Sequence, residues 1–255
     1  MGAAKGHDVT ELFGDTIAWL TDPARWALTS EAGIPFRTFQ HLWVSVTATL
    51  LACGVAVPLA LRLAHRRRAE ALASSVVNIG RAIPSFGLIV LFWLLATRTG
   101  LVGTRFWPLV LALTALALPP VFTNTYTAVR EVDAATIEAA RGMGYTEPQV
   151  LRSIELPLAS PVILAGIRIA FVQVVATTAI GAIVTNGGGL GRYVVDGFAR
   201  GVAGRPTVLA GALLLATLTL LADGAFGLLE RLLVPDGVRD DAHRADVANR
   251  VGAAG

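Results

Sequence analysis

The feature that most constrains this chain is a series of apolar runs, each long enough to cross a lipid bilayer. A helix rises about 1.5 Å per residue, so about 20 apolar residues cover a hydrocarbon core of about 30 Å. Five stretches qualify: about Leu42–Leu61, Ser75–Thr97, Phe106–Val129, Val162–Val184 and Val208–Leu229. The second has the shortest uncharged part, with Arg81 near its start and Pro84 inside it. The runs are continuous rather than alternating, which favours helices over strands. Only 15% of the 255 residues are charged, and mean hydropathy is +0.63. Soluble domains carry about 25% charged residues. The expected fold is therefore an all-α integral membrane protein with five transmembrane helices.

Five spans put the termini on opposite sides, and arginine placement sets the direction. The cluster Arg62–Arg68, the loop Arg130–Arg152, the tail from Arg231 and Arg81 hold roughly twelve basic residues. The opposite side holds roughly eight, spread over a long N-terminal segment and two loops. The N-terminus is expected outside and the C-terminus in the cytoplasm. The chain divides into an extracytoplasmic segment 1–40, a membrane domain 41–230 and a cytoplasmic tail 231–255. Within the first segment, Leu12, Phe13, Thr16, Ile17 and Leu20 recur at helical spacing, with Trp19 and Trp26 nearby. Both an interfacial amphipathic helix and a solvent-covered extension fit that pattern. The tail Val238–Gly255 is charged and rich in Ala and Gly, a disordered composition.

Several chemistries find no support. The net charge of +3 comes from arginines between apolar runs, a membrane pattern rather than a nucleic-acid one. Cys53 is the only cysteine and reads as a small buried hydrophobe. His7, His41, His65 and His243 are scattered, so no metal site is expected. No apolar run lies early enough for a cleavable signal peptide. A phosphate-binding Walker loop needs Gly-Lys-Ser/Thr, and Lys5 is the only lysine. Gly187-Gly188-Gly189-Leu190-Gly191 lacks nucleotide-loop spacing and reads as a flexible external turn.

The loop Glu131–Ser160 looks built rather than merely connecting. Asp133 is a good N-cap for a helix through Arg141, and Gly142 and Gly144 permit a sharp turn. Thr146 with Gln149 matches a capping box, with Pro148 in the first turn. A second short helix is expected to about Ile154, stopped by Pro157. The spacing predicts a cytoplasmic helix-turn-helix suited to docking.

Glu138-Ala139-Ala140, Gly144, Ile154 and Leu156-Pro157 together resemble the signature loop of binding-protein-dependent ABC importer permeases. The resemblance extends over about Leu42–Gly227. Arg81-Ala82-Ile83-Pro84-Ser85, Leu118-Pro119-Pro120, Asn124-Thr125-Tyr126 and Leu164-Ala165-Gly166-Ile167-Arg168 look most like glycine betaine, carnitine and choline permeases of the methionine-permease-like fold. It implies that the chain is a transport subunit of the bacterial cytoplasmic membrane and not an enzyme. It further implies that Glu138, Ala139, Ala140 and Gly144 couple to a separate cytoplasmic ATPase that binds ATP and magnesium. A second permease, identical or paralogous, and an extracytoplasmic substrate-binding protein are the other implied partners. This chain itself would hold no cofactor, and it would contact lipid but no nucleic acid. A methionine or other amino-acid importer shares the same fold and loop. A secondary carrier or channel without an ATPase is the reading from another class.

Polar groups inside spans are candidates for the solute path. Asn124, Tyr126, Gln173 and Thr177 are the residues so placed, although Thr hydroxyls often bond back to their own helix. Arg168 and Asp223 lie at matching depths in spans four and five, so they are expected to pair; otherwise Arg168 snorkels to the interface. The five tryptophans show no spacing that predicts an aromatic cage for a quaternary ammonium group.

Overall fold

The computed structural model describes residues 9–67, 75–76, 84–100, 106–185 and 187–233, and none of these is in a strand. Helix α1 (Val9–Thr21) leads through a 3-10 turn at Pro23–Trp26 to α2 (Ile34–His65). Then come α3 (Ser85–Thr99) and α4 (Phe106–Arg130). Two short helices follow, α5 (Ala134–Gly142) and α6 (Glu147–Val150), and a π turn at Leu151–Glu155 runs into α7 (Leu156–Thr185). Helix α8 (Gly191–Ala199) and a 3-10 turn at Gly201–Gly204 precede α9 (Arg205–Leu233).

Among the described residues, four helical stretches are long and apolar enough to cross a membrane: Ile34–His65, Phe106–Arg130, Glu147–Thr185 and Gly201–Leu232. The second expected span is represented by α3, which has 15 residues. At about 1.5 Å per residue it reaches only about 22 Å, short of a bilayer core. Arg81 and residues 77–83, which the sequence assigns to that span, lie outside the described residues, as do Arg68 and the tail Val238–Gly255.

The expectation that Pro157 ends a helix needs correction. The chain stays helical from Glu147 to Thr185 and carries Pro157 within it. A regular turn would drive the proline ring against the carbonyl four residues earlier. The π turn widens the backbone there, with Leu156 N–H bonding back to Leu151 O, and so takes up the ring. Pro58, Pro119, Pro120 and Pro161 also sit inside helices, as membrane helices tolerate.

Helix α2 shows how the sequence sets packing. Ala48, Ala52, Ala56, Ala60 and Ala64 recur every four residues along one face, and all are at most 2% exposed. Leu50, Val55 and Leu59 lie elsewhere on the helix and are exposed, an arrangement that suits lipid. Cys53, expected to be buried, is only partly so.

Two compact units divide the chain. One takes the described residues up to Leu50, from α3 to Leu116, and Phe171–Leu221. Its core holds Val110, Leu113, Val174 and Val175, threaded by polar links between helices. Ser45 Oγ and Thr178 Oγ1 are 3.0 Å apart, and His41 Nε2 is 2.8 Å from Val175 O. In this unit α1 is no free extension. Trp19 meets Tyr193 of α8 edge-on at 5.0 Å, Arg25 and Arg37 lie over the two rings, and Tyr193 Oη donates to Ala32 O at 2.6 Å. Phe13 and Ile17 stay exposed, so the apolar stripe of α1 points away from that contact. The triple glycine segment is likewise packed. Gly189 N–H donates to Gln40 Oε1 at 2.9 Å, and a Cβ on Gly191 would run into the backbone of Ala179.

The other unit takes the described residues of Leu51–Ala82, Ala117–Ala170 and the residues from Ala222 onward. It contains the two-helix loop and the site described next.

Candidate functional site

The loop after α4 folds around a core of its own. Val132, Ile137, Ala140 and Val150 are buried together, and Ile154 packs against them. The spacing from Ile137 to Ala140 puts both on one face of α5, and Val150 comes from α6. Asp133 caps α5, accepting from Ala135 N–H at 3.3 Å and from Thr136 N–H at 3.2 Å. Those donors, with the Thr136 hydroxyl, hold the Asp133 carboxyl below its usual pKa. The turn out of α5 rests on Gly144 at φ +88°, a region where a Cβ is strained. Thr146 opens α6, its N–H and its hydroxyl both donating to Gln149 Oε1 at 2.8 Å.

This geometry separates the residues of the signature. Glu138, Ala139 and Gly144 are exposed, as are Met143 and Tyr145 beside them. Ala140 is 1% exposed and faces the loop's own core, so it is not available to a partner, contrary to its assignment with Ala139. Ile154 and Leu156 are half-buried, and Pro157 is exposed.

Side chains that sequence reading missed tie the loop to α2. His65 Nδ1 lies 2.6 Å from Glu155 Oε2, and His65 Nε2 lies 3.2 Å from Glu147 Oε2. Glu147 also receives a two-pronged contact from Arg141, at 2.9 and 3.0 Å. The bond to Glu147 raises the Arg141 pKa further above its usual value. Glu155 is 3% exposed, so its carboxylate depends on this contact for compensation. Ninety positions separate His65 from Glu155, and neither is unusual in its local sequence. No local signal marks them.

Arg168 and Asp223 are joined by two bonds, Nε to Oδ1 at 2.6 Å and Nη2 to Oδ2 at 2.7 Å. Glu230, which sequence reading did not weigh, adds a third group at 3.6 Å from Arg168 Nη1. It stands about two turns beyond Asp223 on the same helix, a spacing that is legible in α9. The proposed path residues fall in separate units. Asn124 and Tyr126 belong to the second. Asn124 donates to Pro120 O at 2.7 Å and packs so closely on Gly166 that a Cβ there would overlap it. Tyr126 is 5% exposed and stacks on Phe122. Gln173, exposed, and Thr177, 8% exposed, belong to the first.

Comparison with known proteins bears on this arrangement. The family described as "Binding-protein-dependent transport system inner membrane component" matches residues 54–234. The carnitine transport permease protein OpuCD of Listeria monocytogenes is 36% identical over 221 residues, covering 87% of this chain and 94% of that protein. The glycine betaine/carnitine/choline transport system permease protein OpuCD of Bacillus subtilis is 36% identical, covering 77% and 82%. The osmoprotectant import permease protein OsmW of Salmonella typhimurium is 33% identical, covering 88% and 100%. Among solved structures, an inward-facing form of the MetNI methionine ABC transporter aligns at a TM-score of 0.69 and 24% identity. It covers 84% of this chain and 100% of that one, a likeness of fold.

Proposed function

Because the chain belongs to the binding-protein-dependent transport system inner membrane component family, as the permease subunit of an ABC importer, we propose that α5 is the element through which ATP hydrolysis reaches it. In this family the ATPase is a separate subunit, and the subunit in the membrane is not an enzyme. The observation that carries the proposal is the division of α5 into two faces. Ile137 and Ala140 fix the helix to the loop core, while Glu138, Ala139 and Gly144 face outward. A short helix held from behind in this way is a rigid lever. Small side chains on its free face allow close approach to a groove, and Glu138 offers a charge to a basic or amide group there. ATP and magnesium would sit in the partner ATPase, and this chain would hold no cofactor.

The loop then lies in the cytoplasm, with the N-terminus outside and the C-terminus inside. Helix α3 would be the described part of a fifth span, the one expected at about Ser75–Thr97. The domain limits 1–40, 41–230 and 231–255 follow from that topology. A second permease, identical or paralogous, would complete the path. Helix α9 supports this: only 11% of its apolar window is buried, against 39–50% for the other spans. Asn124, Tyr126, Gln173 and Thr177 remain the proposed path residues, and the Arg168–Asp223 contact the proposed intramembrane pair. An extracytoplasmic binding protein would deliver the solute, and alternating access would carry it inward.

The solute proposed is a quaternary-ammonium osmoprotectant such as glycine betaine, choline or carnitine. Two relatives at 36% identity carry such substrates in their names, and a third at 33% is named for an osmoprotectant. Likeness to the methionine transporter, at 24% identity, bears on the fold. Membership of an ATP-driven family displaces the reading as a secondary carrier.

The test is purification of the permease with its ATPase from native membranes. Glu138→Lys and Gly144→Val are expected to release the ATPase while the permease stays in the membrane. Retention of the ATPase by both variants would sink the assignment of α5. Uptake of labelled betaine, choline, carnitine and methionine by the same complex then identifies the solute.

A further inference from the structure

Beside the loop, within the second unit, is an open cavity of about 870 Å³. Its lining is zoned by chemistry. Pro58, Leu61 and Leu151 give it an apolar floor, and arginines form its rim. Among the described residues, five arginines face it against one glutamate, Glu147, whose charge is already met by Arg141. Arg62, Arg66, Arg67 and Arg152 are exposed, and no carboxylate among the described residues pairs with them. The end of α2 contributes about half a negative charge from its free carbonyls. Four guanidinium groups outweigh that several-fold.

We propose that this cavity is a binding site for the headgroup of an anionic phospholipid. Three observations select that ligand. The cavity begins at Pro58, about 10 Å before the end of an apolar span, so it straddles the level at which lipid phosphates lie. Its volume falls in the range of small-molecule sites, about 300–1,000 Å³, enough for a glycerophosphate group and the first methylenes of its chains. Its zoning matches a phosphodiester joined to hydrocarbon: guanidinium groups bind phosphate oxygens in pairs, and the apolar floor receives the chain. A free inorganic anion would leave that floor wet. Because Arg152 belongs to the π turn while Arg62 and Arg66 belong to α2 and its end, a bound headgroup bridges the loop to the span beside the His65–Glu155 contact.

The importer, purified whole and stripped of lipid, is titrated with phosphatidylglycerol and separately with phosphatidylcholine, and bound lipid is counted by native mass spectrometry. One phosphatidylglycerol per permease chain is expected, with phosphatidylcholine held roughly tenfold more weakly or worse. The double variant Arg66→Gln/Arg152→Gln is expected to lose retention by roughly tenfold or more, and Arg66→Lys/Arg152→Lys to recover part of it. The altered side chains are exposed, and ATPase content per complex reports assembly independently of lipid. Equal retention of the two lipids would overturn the proposal. So would unchanged retention in the glutamine variant, displacement by millimolar inorganic phosphate, or blockage of the site by the ATPase.

Discussion

Ala139 and Ala140 are identical neighbours with opposite surroundings, and mutation separates them. Ala140 is closed into the loop core at 1% exposure, so Ala140→Leu is overpacked and is expected to destabilise the loop by about 1–3 kcal/mol. Hydrogen exchange across residues 134–150 reads that loss. Ala139→Leu points outward and is expected to leave exchange unchanged while weakening ATPase retention. If both variants behave alike, the two-faced reading of α5 is wrong. Charged groups show what a sequence discloses and what it hides. Arg168 and Asp223 stand out because each interrupts an apolar run, where a charge needs a partner. His65 and Glu155 interrupt nothing: one ends an apolar helix just before an arginine triplet, and the other lies shortly before a proline in a polar loop. Glu230 changes what a charge exchange at the pair does. Combining Arg168→Asp with Asp223→Arg brings the two exchanged charges together again but leaves Glu230 without its cation. The exchange is therefore expected to restore membrane assembly only in part, measured as complex yield relative to Asp223→Asn alone.

The short helices α5 and α6 owe their limits to caps, and those were legible. Asp133, Gly144 and the Thr146–Gln149 pair act at the positions their chemistry predicts. The Asp133 cap also carries a pH dependence. Its folded pKa lies below that of an unfolded carboxyl, so its stabilisation is complete above about pH 4 and fades as pH falls through the folded value. The protection of the Ala135 and Thr136 amides, measured as exchange relative to the intrinsic rate at each pH, is expected to fall on acidification in the unaltered loop, and Asp133→Asn is expected to flatten that response. Gly144 has open space where a Cβ would go, so its constraint is backbone alone. Gly144→Val is expected to cost the turn about 1–2 kcal/mol, with Gly144→Asn cheaper because asparagine tolerates left-handed backbone. Loss of ATPase retention should rank the two in that order. The π turn was not legible. Proline rules read locally place a stop at Pro157, and only the continuity of Glu147–Thr185 shows the chain widening to keep going.

Across the described residues, hydropathy locates the four long apolar helices but places their ends poorly. Helix α2 starts at Ile34 rather than near Leu42, because Gln40, His41 and Ser45 find partners inside a helical unit and need no water. The proposed topology is open to a direct check through the single cysteine. In a Cys53→Ser background, a cysteine at Met143 is expected to react only with membrane-permeant thiol reagents in intact cells. One at Leu28 is expected to react with impermeant ones as well. The reverse pattern would place the lever outside and end the coupling proposal. One consequence of the widened turn at Leu151–Glu155 concerns how such a chain tolerates changes of length. A π turn holds one residue more than an α turn, so a residue removed there restores ordinary winding and leaves the azimuth of the flanking turns nearly unchanged, but it sets the Pro157 ring back against the carbonyl four residues earlier. Single-residue gaps in this stretch should therefore be tolerated only where Pro157 is replaced as well, while a residue removed from the regular turns after Pro161 swings the helix by about 100° and should be rejected.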